Sequence, residues 1–296
     1  MIAWECHMRV AGRLLSAVAV TGLLAACLAA AAPGARAATS PAAGVRAPWA
    51  ELANAASGAD LWSRTSVSKR PMGSITKVMT AYVVIETGGL SRVVTVPAGI
   101  TAYDKKFGAS TAGLVPGEKL TALQLLYAML LPSGCDAAYA LAAAYGPGLA
   151  KFIARMNATA AKLGLTKTHF TDFSGLPNPG AYTTYSTARD LVSLGRDAMR
   201  LALFRQVVAT RSYRVAAGAG HRAHTWLNRN LLLASYSGAI GIKPGFTAAA
   251  GQCLLFEARR GAVTLIGVVL HSSSSVSDPK AAVRDATAML NWGFSR

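Results

Sequence analysis

Pro71-Met72-Gly73-Ser74-Ile75-Thr76-Lys77, continuing as Val78-Met79-Thr80-Ala81-Tyr82-Val83-Val84-Ile85-Glu86, is the stretch that decides how this chain folds and what it does. Pro71 and Gly73 end the preceding segment, and an apolar run long enough for a buried helix begins at Ser74. Residues three apart share one helix face, with Cβ atoms about 5–6 Å apart. The Lys77 amine can therefore reach the Ser74 hydroxyl with no help from distant residues. A serine with a built-in base is an activated nucleophile. A lysine acts as a base only while neutral, a state that burial and a second nearby cation both favour. The site is thus expected to be half-buried and to contain another lysine. The same spacing occurs at Ser66-Val67-Ser68-Lys69 and Ser277-Asp278-Pro279-Lys280. Those two lead into turns and are read as exposed loops.

The chain has 296 residues, of which 52% are hydrophobic and 15% charged, a globular composition able to bury a core. Part of that apolarity lies in a leader. A short basic start is followed by an unbroken apolar run from Leu14 to Ala32, then by Pro33-Gly34-Ala35-Arg36-Ala37. Residues 1–37 are read as a secretory signal with an Ala-x-Ala cleavage site. Leu24-Ala25-Ala26-Cys27 offers a competing cut, a lipoprotein box with Cys27 as the lipidated terminus. No later segment reaches the roughly 18 apolar residues of a spanning helix. The net charge is +17, and removal of Arg9, Arg13, Arg36 and Glu5 with the signal leaves +15. That excess suits acidic wall polymers or a peripheral contact with a membrane. Nucleic acid is not expected, because export argues against it and no Lys/Arg run is interleaved with aromatics. Cys135 and Cys253 remain after cleavage, enough for one bridge and too few for a disulfide scaffold. His169, His221, His224 and His271 fall in loops or near strand ends, and His221 with His224 is read as a solvated pair, not a metal site.

Ala38 to Trp49 reads as a flexible leader. Two short strands, Glu51–Ala55 and Ala59–Arg64, then flank the turn Ala56-Ser57-Gly58. Val93–Val96 is another strand. Thr121 caps a helix through Leu130, and helices follow at Ala137–Ala144, Leu149–Leu163 and, capped by Ser186, Ala188–Met199. Strand patterns return at Arg211–Val215, at Gly241–Phe246 continuing into Gln252–Ala258, and at Val263–Leu270, with a closing helix over 280–292. Strands at both ends with helices between them give an α+β fold: one antiparallel sheet flanked by helices, with a helical region inserted in the middle.

Three stretches then stand in order: Ser74-Ile75-Thr76-Lys77, Ser133-Gly134-Cys135 and Lys243-Pro244-Gly245. Together they resemble the S-x-x-K, S-x-N and K-T-G motifs of the penicillin-binding serine acyltransferases, above all the low-molecular-mass D-alanyl-D-alanine carboxypeptidase branch. Supporting phrases are Phe173-Ser174-Gly175-Leu176-Pro177, Tyr185-Ser186-Thr187-Ala188-Arg189-Asp190-Leu191 and Gly241 to Thr247. The resemblance implies a β-lactamase/transpeptidase-like domain over residues 50–296, with no metal or cofactor. It implies acylation of Ser74 by a peptidoglycan stem peptide ending in D-Ala-D-Ala, with β-lactams as inhibitors. Lys77 would be the base and Ser133 a proton relay, while Cys135, Lys243, Gly245, Phe246 and Thr247 would bind substrate. The Ser74 and Phe246 N–H groups would form the oxyanion hole. Two positions depart from the family pattern. Cys135 replaces an asparagine with a weak donor and acceptor, and Pro244 removes a hydroxyl and an N–H. A weakly active peptide-binding relative, or a β-lactamase or esterase on the same fold, stands as the alternative.

Overall fold

The computed structural model describes residues 44–296. The signal segment, the Cys27 box and the first half of the leader lie outside the described residues. In chain order the elements are β1 (Trp49–Asn54), β2 (Asp60–Arg64), a 3₁₀ turn (Gly73–Thr76), α1 (Lys77–Thr87), β3 (Val93–Thr95), α2 (Gly99–Phe107) and β4 (Lys119–Thr121). Next come α3 (Ala122–Leu130), α4 (Cys135–Tyr145), α5 (Leu149–Lys162), α6 (Ala188–Arg200), α7 (Ala202–Ala209), β5 (Ser212–Val215) and β6 (His224–Leu227). The chain closes with α8 (Leu232–Ser235), β7 (Ala239–Gly245), β8 (Cys253–Arg260), β9 (Val263–Leu270) and α9 (Ala281–Gly293).

Strands from the two ends of the chain join in one antiparallel sheet of order β2-β1-β9-β8-β7. The run Gln252–Ala258 does not continue the strand before it. The chain reverses after Gly245, with Gly251 in a left-handed conformation and its N–H bonded to the Thr247 carbonyl, so β8 runs back along β7. The Arg211–Val215 strand is not in this sheet either; it pairs with β6 in a separate ribbon.

The sheet is buried on both faces, which is why β8 and β9 read as continuous apolar runs. Ile266, Val268 and Leu270 of β9, with Leu255 of β8, meet the core built by the helices between the strands. Leu265 and Val269, with Leu254, Phe256 and Ala258, meet Ala282, Ala286, Met289 and Leu290 of α9. Those α9 positions recur at helical spacing on one side, so the helix closes the second face.

Local chemistry moves several expected boundaries. The leader is held from Val45 onward, because the Asp285 carboxylate accepts the Arg46 and Ala47 N–H groups at 2.9 and 2.8 Å. The cap of α6 is Thr187, whose hydroxyl accepts the Asp190 N–H at 3.1 Å, while Ser186 bonds Thr168. Thr121 caps α3 as expected, in a reciprocal capping box with Gln124. Ser66 is buried, not exposed, and its carbonyl accepts the Arg189 N–H. Cys135 and Cys253 are both free thiols.

Glu257 is buried in β8, and burial raises its carboxyl from the usual 4.5 to about 7 against the pull of Arg205. A folded-state value above the unfolded one makes a contribution that is intact below about pH 4.5 and lost as pH rises through about 7. Glu257→Gln should therefore be increasingly stabilised relative to the parent between pH 5 and pH 8, by up to ~3 kcal/mol. Asp104, pushed up to about 6 by burial and by Asp136, changes both proteins alike and cancels in the difference. Paired denaturant titrations at the two pH values measure it, and a pH-independent difference would contradict this account.

Candidate active site

Ser74 lies in the 3₁₀ turn and Lys77 follows it as the first residue of α1, so the helix proper starts three residues later than its apolar run suggests. The tighter turn serves the chemistry, because side chains three apart eclipse one another in 3₁₀ geometry. Lys77 is fully buried and Ser74 half-buried. The Lys77 ammonium donates to Ser74 Oγ at 2.9 Å, to Cys135 Sγ at 3.3 Å and to the Ser174 carbonyl at 3.0 Å. A neutral amine in this position can keep the last two bonds and turn its lone pair to the serine hydroxyl.

Each partner of Lys77 is held in place. Ser174 belongs to a loop gathered by the buried Asp172, which accepts the N–H groups of Ser174, Gly175 and Leu176 and the hydroxyls of Ser174 and Tyr103. Cys135 opens α4, and its N–H bonds the Ser110 carbonyl at 2.8 Å. Asp136 beside it accepts N–H groups of Ala112, Leu114 and Ala137, tying the loop before β4 to the start of α4. Cys135 is 1% exposed, and its thiol accepts from Lys77.

Ser133 sits between α3 and α4 in a left-handed conformation, φ 69°, an uncommon backbone state for a side-chain-bearing residue and one often found at functional sites. Its carbonyl accepts the Ser110 hydroxyl at 2.8 Å, and the residue lines one cleft with Ser74. β7 is the edge strand on which this cleft opens, and Pro244 sits there without breaking an interior ladder. Gly245 must be glycine, since a Cβ would lie 2.4 Å from the Met72 carbonyl oxygen and 3.1 Å from the Ser74 nitrogen. The backbone of β7 thus presses on the 3₁₀ turn, and the Phe246 nitrogen lies against Gly73. Thr247 lines the cleft while its hydroxyl accepts the Ala250 N–H at 3.1 Å.

Lys243 is fully buried behind the cleft and donates to the Pro244 carbonyl at 3.3 Å. Burial first, then the neighbouring Lys77, holds its ammonium well below the usual lysine range. The second lysine is therefore where the chemistry of Ser74 calls for it.

Sequence reasoning missed three contributors. Arg229 lines the cleft within electrostatic reach of Lys243, from the segment between β6 and α8. The Ser174 carbonyl and the Asp172 clamp also went unassigned, although an Asp two residues before Ser174-Gly175 carries the signature of a side-chain-capped turn. His224, expected in solvent with His221, is buried in β6 and meets the Glu118 carboxylate at 3.1 Å.

Known proteins resemble this chain over most of its length. A family profile described as D-alanyl-D-alanine carboxypeptidase matches residues 35–274. A D-alanyl-D-alanine carboxypeptidase from Streptomyces sp. (strain K15) is 42% identical over 254 residues, covering 82% of this chain and 85% of that protein. The D-alanyl-D-alanine carboxypeptidase DacB2 of Mycobacterium tuberculosis is 36% identical, covering 82% of this chain and 81% of that protein. Among solved structures, the Streptomyces K15 DD-transpeptidase superposes with a TM-score of 0.79 at 41% identity, covering 85% of this chain and 98% of that one.

Proposed function

The chain belongs to the serine D-alanyl-D-alanine carboxypeptidase family, and from that premise we propose that Ser74 is acylated by peptidoglycan stem peptides ending in D-Ala-D-Ala, on the wall side of the cytoplasmic membrane. The observation that carries the proposal is the Lys77 Nζ at 2.9 Å from Ser74 Oγ, with its other two bonds fixed by Cys135 and Ser174. Ser74 Oγ attacks the carbonyl between the two D-alanines as Lys77 accepts its proton. The N–H groups of Ser74 and Phe246 face the oxyanion that forms. Ser133 relays a proton to the departing amine, and D-alanine leaves. Lys243 and Arg229 attract the substrate's terminal carboxylate. Water or an amine then takes the acyl group from Ser74. A β-lactam enters the same path because its ring amide stands in for the scissile bond. The leader of residues 1–37 supports an extracytoplasmic location, and lipidation at Cys27 would add an anchor there.

Two measurements test this together. Intact mass after exposure to penicillin should rise by one drug, mapping to the peptide that carries Ser74. An acylated D-alanyl-D-alanine peptide should release D-alanine. Neither adduct nor release would sink the proposal.

Pro244 limits the reaction, because it places no hydroxyl between Lys243 and Gly245, where the family pattern has threonine. A charge-assisted hydrogen bond contributes about 1.5–3 kcal/mol. Pro244→Thr should therefore raise kcat/KM for a carboxylate-ended donor roughly tenfold, and leave an amide-capped donor unchanged. Equal effects on both donors would show that strand geometry, and not the hydroxyl, limits the rate.

A further inference from the structure

Residues 173–188 contain no Asp, Glu, Lys or Arg, in a chain of net charge +17. They form most of a loop that is closed at its neck, where His169 and Tyr185 exchange backbone hydrogen bonds of 2.9 Å. Inside the neck the Asp172 carboxylate gathers Ser174, Gly175 and Leu176, and Leu176 and Pro177 form part of the wall of the catalytic cleft. Beyond them the tip is pinned by Thr171, whose hydroxyl donates to the Asn178 carbonyl at 2.7 Å and meets the Thr183 hydroxyl at 2.8 Å. Tyr182 stands on this pinned tip and is 64% exposed, whereas every other Phe, Tyr and Trp of the described residues is buried or half-buried. A ring held in water on fixed backbone has no part in the core. Tyr182 follows Pro177 by five residues. Its backbone therefore lies within about 18 Å of the cleft wall, roughly the span of five extended residues.

We propose that the tip of this loop, with Tyr182 as its platform, binds the sugar strand to which a stem peptide is attached. The proposal rests on the acyl-transfer reading above. The reacting end of the peptide is at Ser74, and a few residues away its amino end is joined to a sugar. That sugar lies within a radius comparable to that of Tyr182. An N-acetylated sugar ring is neutral and offers a face of C–H bonds. Such a face packs on an aromatic ring as other apolar surface does, while its polar edge stays in water. An uncharged loop suits this ligand and does not suit a phosphate-bearing polymer, which the basic surface elsewhere would draw away. A protein partner would need far more contact area than one ring supplies. The same loop carries the Ser174 carbonyl to which Lys77 donates. Binding energy gathered at the tip is thus gathered by an element that reaches the reacting groups, and remote binding of this kind can be spent on the chemical step.

The test compares two donors with the same D-alanyl-D-alanine end, one a free acylated peptide and the other that peptide joined to its disaccharide. Tyr182→Ala should lower kcat/KM for the disaccharide-linked donor about five- to tenfold, and leave the free peptide and penicillin acylation within about twofold of the parent. Tyr182→Trp should restore the disaccharide-linked rate, since any flat ring supplies the face. Sugar strands stripped of their peptides should retain the parent in a pelleting assay more than they retain Tyr182→Ala. Equal losses with both donors would overturn the assignment, by making Tyr182 a support of the loop. Unchanged rates with both donors would overturn it too, as would equal retention of parent and variant on the bare strands. A parent that releases no D-alanine from either donor, but whose retention on bare strands still depends on Tyr182, would remove the acyl-transfer reading and leave the sugar platform standing.

Discussion

Ser74→Ala should fold as the parent does and lose acylation entirely, with D-alanine release falling on the order of 10⁴-fold or more. The hydroxyl is half-buried at the cleft wall, so its removal leaves no hole in the core. Lys77 keeps its bonds to Cys135 and to the Ser174 carbonyl in the variant. The loss is therefore chemical and not structural. Intact mass after penicillin gives the direct reading, with an adduct on the parent and none on the variant. Among the described residues two free thiols are near the site: Cys135 is closed off behind Lys77, and Cys253, which borders the same cleft, is buried with its thiol donating to the Ala250 carbonyl. An adduct that survived in Ser74→Ala and mapped to Cys135 would reassign the nucleophile.

Lys77→Met should be nearly as damaging, for a different reason. A positioned general base contributes roughly 10²–10⁴-fold, and among the described residues no other amine lies within hydrogen-bond distance of Ser74 Oγ. Methionine has a similar length and carries no charge, so the buried space stays filled. Acylation by penicillin should slow on the order of 10³-fold, while the unfolding midpoint stays near the parent's or rises. That second half follows because a buried ammonium is costly to desolvate even when its hydrogen bonds are made. Stopped-flow acylation and a denaturant titration separate the two effects. Slow acylation with a collapsed unfolding midpoint would show Lys77 to be a structural residue first. Unchanged acylation would remove it from the mechanism.

How much of this was legible beforehand differs from residue to residue. Ser74 and Lys77 were found from spacing, since contacts three residues apart are fixed by local geometry. The exact turn was not found: an apolar run does not separate a 3₁₀ start from an α-helical one, and the left-handed Gly73 decides it. Thr121 was readable because its capping box with Gln124 is a local hydrogen-bond exchange. Ser186 and Thr187 were confused because adjacent hydroxyls carry the same capping chemistry, and only the fold sends Ser186 to Thr168. His224 looked like a loop histidine because its partner, Glu118, is 106 residues away in the chain.

The sequence by itself determined the strand–helix–strand order, the nucleophile with its adjacent lysine, and the three motifs that mark the family. Each of these rests on local periodicity or on short spacings. Tertiary structure alone decided that Lys243 stands buried near Lys77, that the Cys135 thiol accepts from Lys77, and that the Ser174 carbonyl completes the hydrogen bonds of that base. These features join residues 50 to 170 positions apart, and such pairings are set by how the sheet and helices pack, which no local pattern encodes.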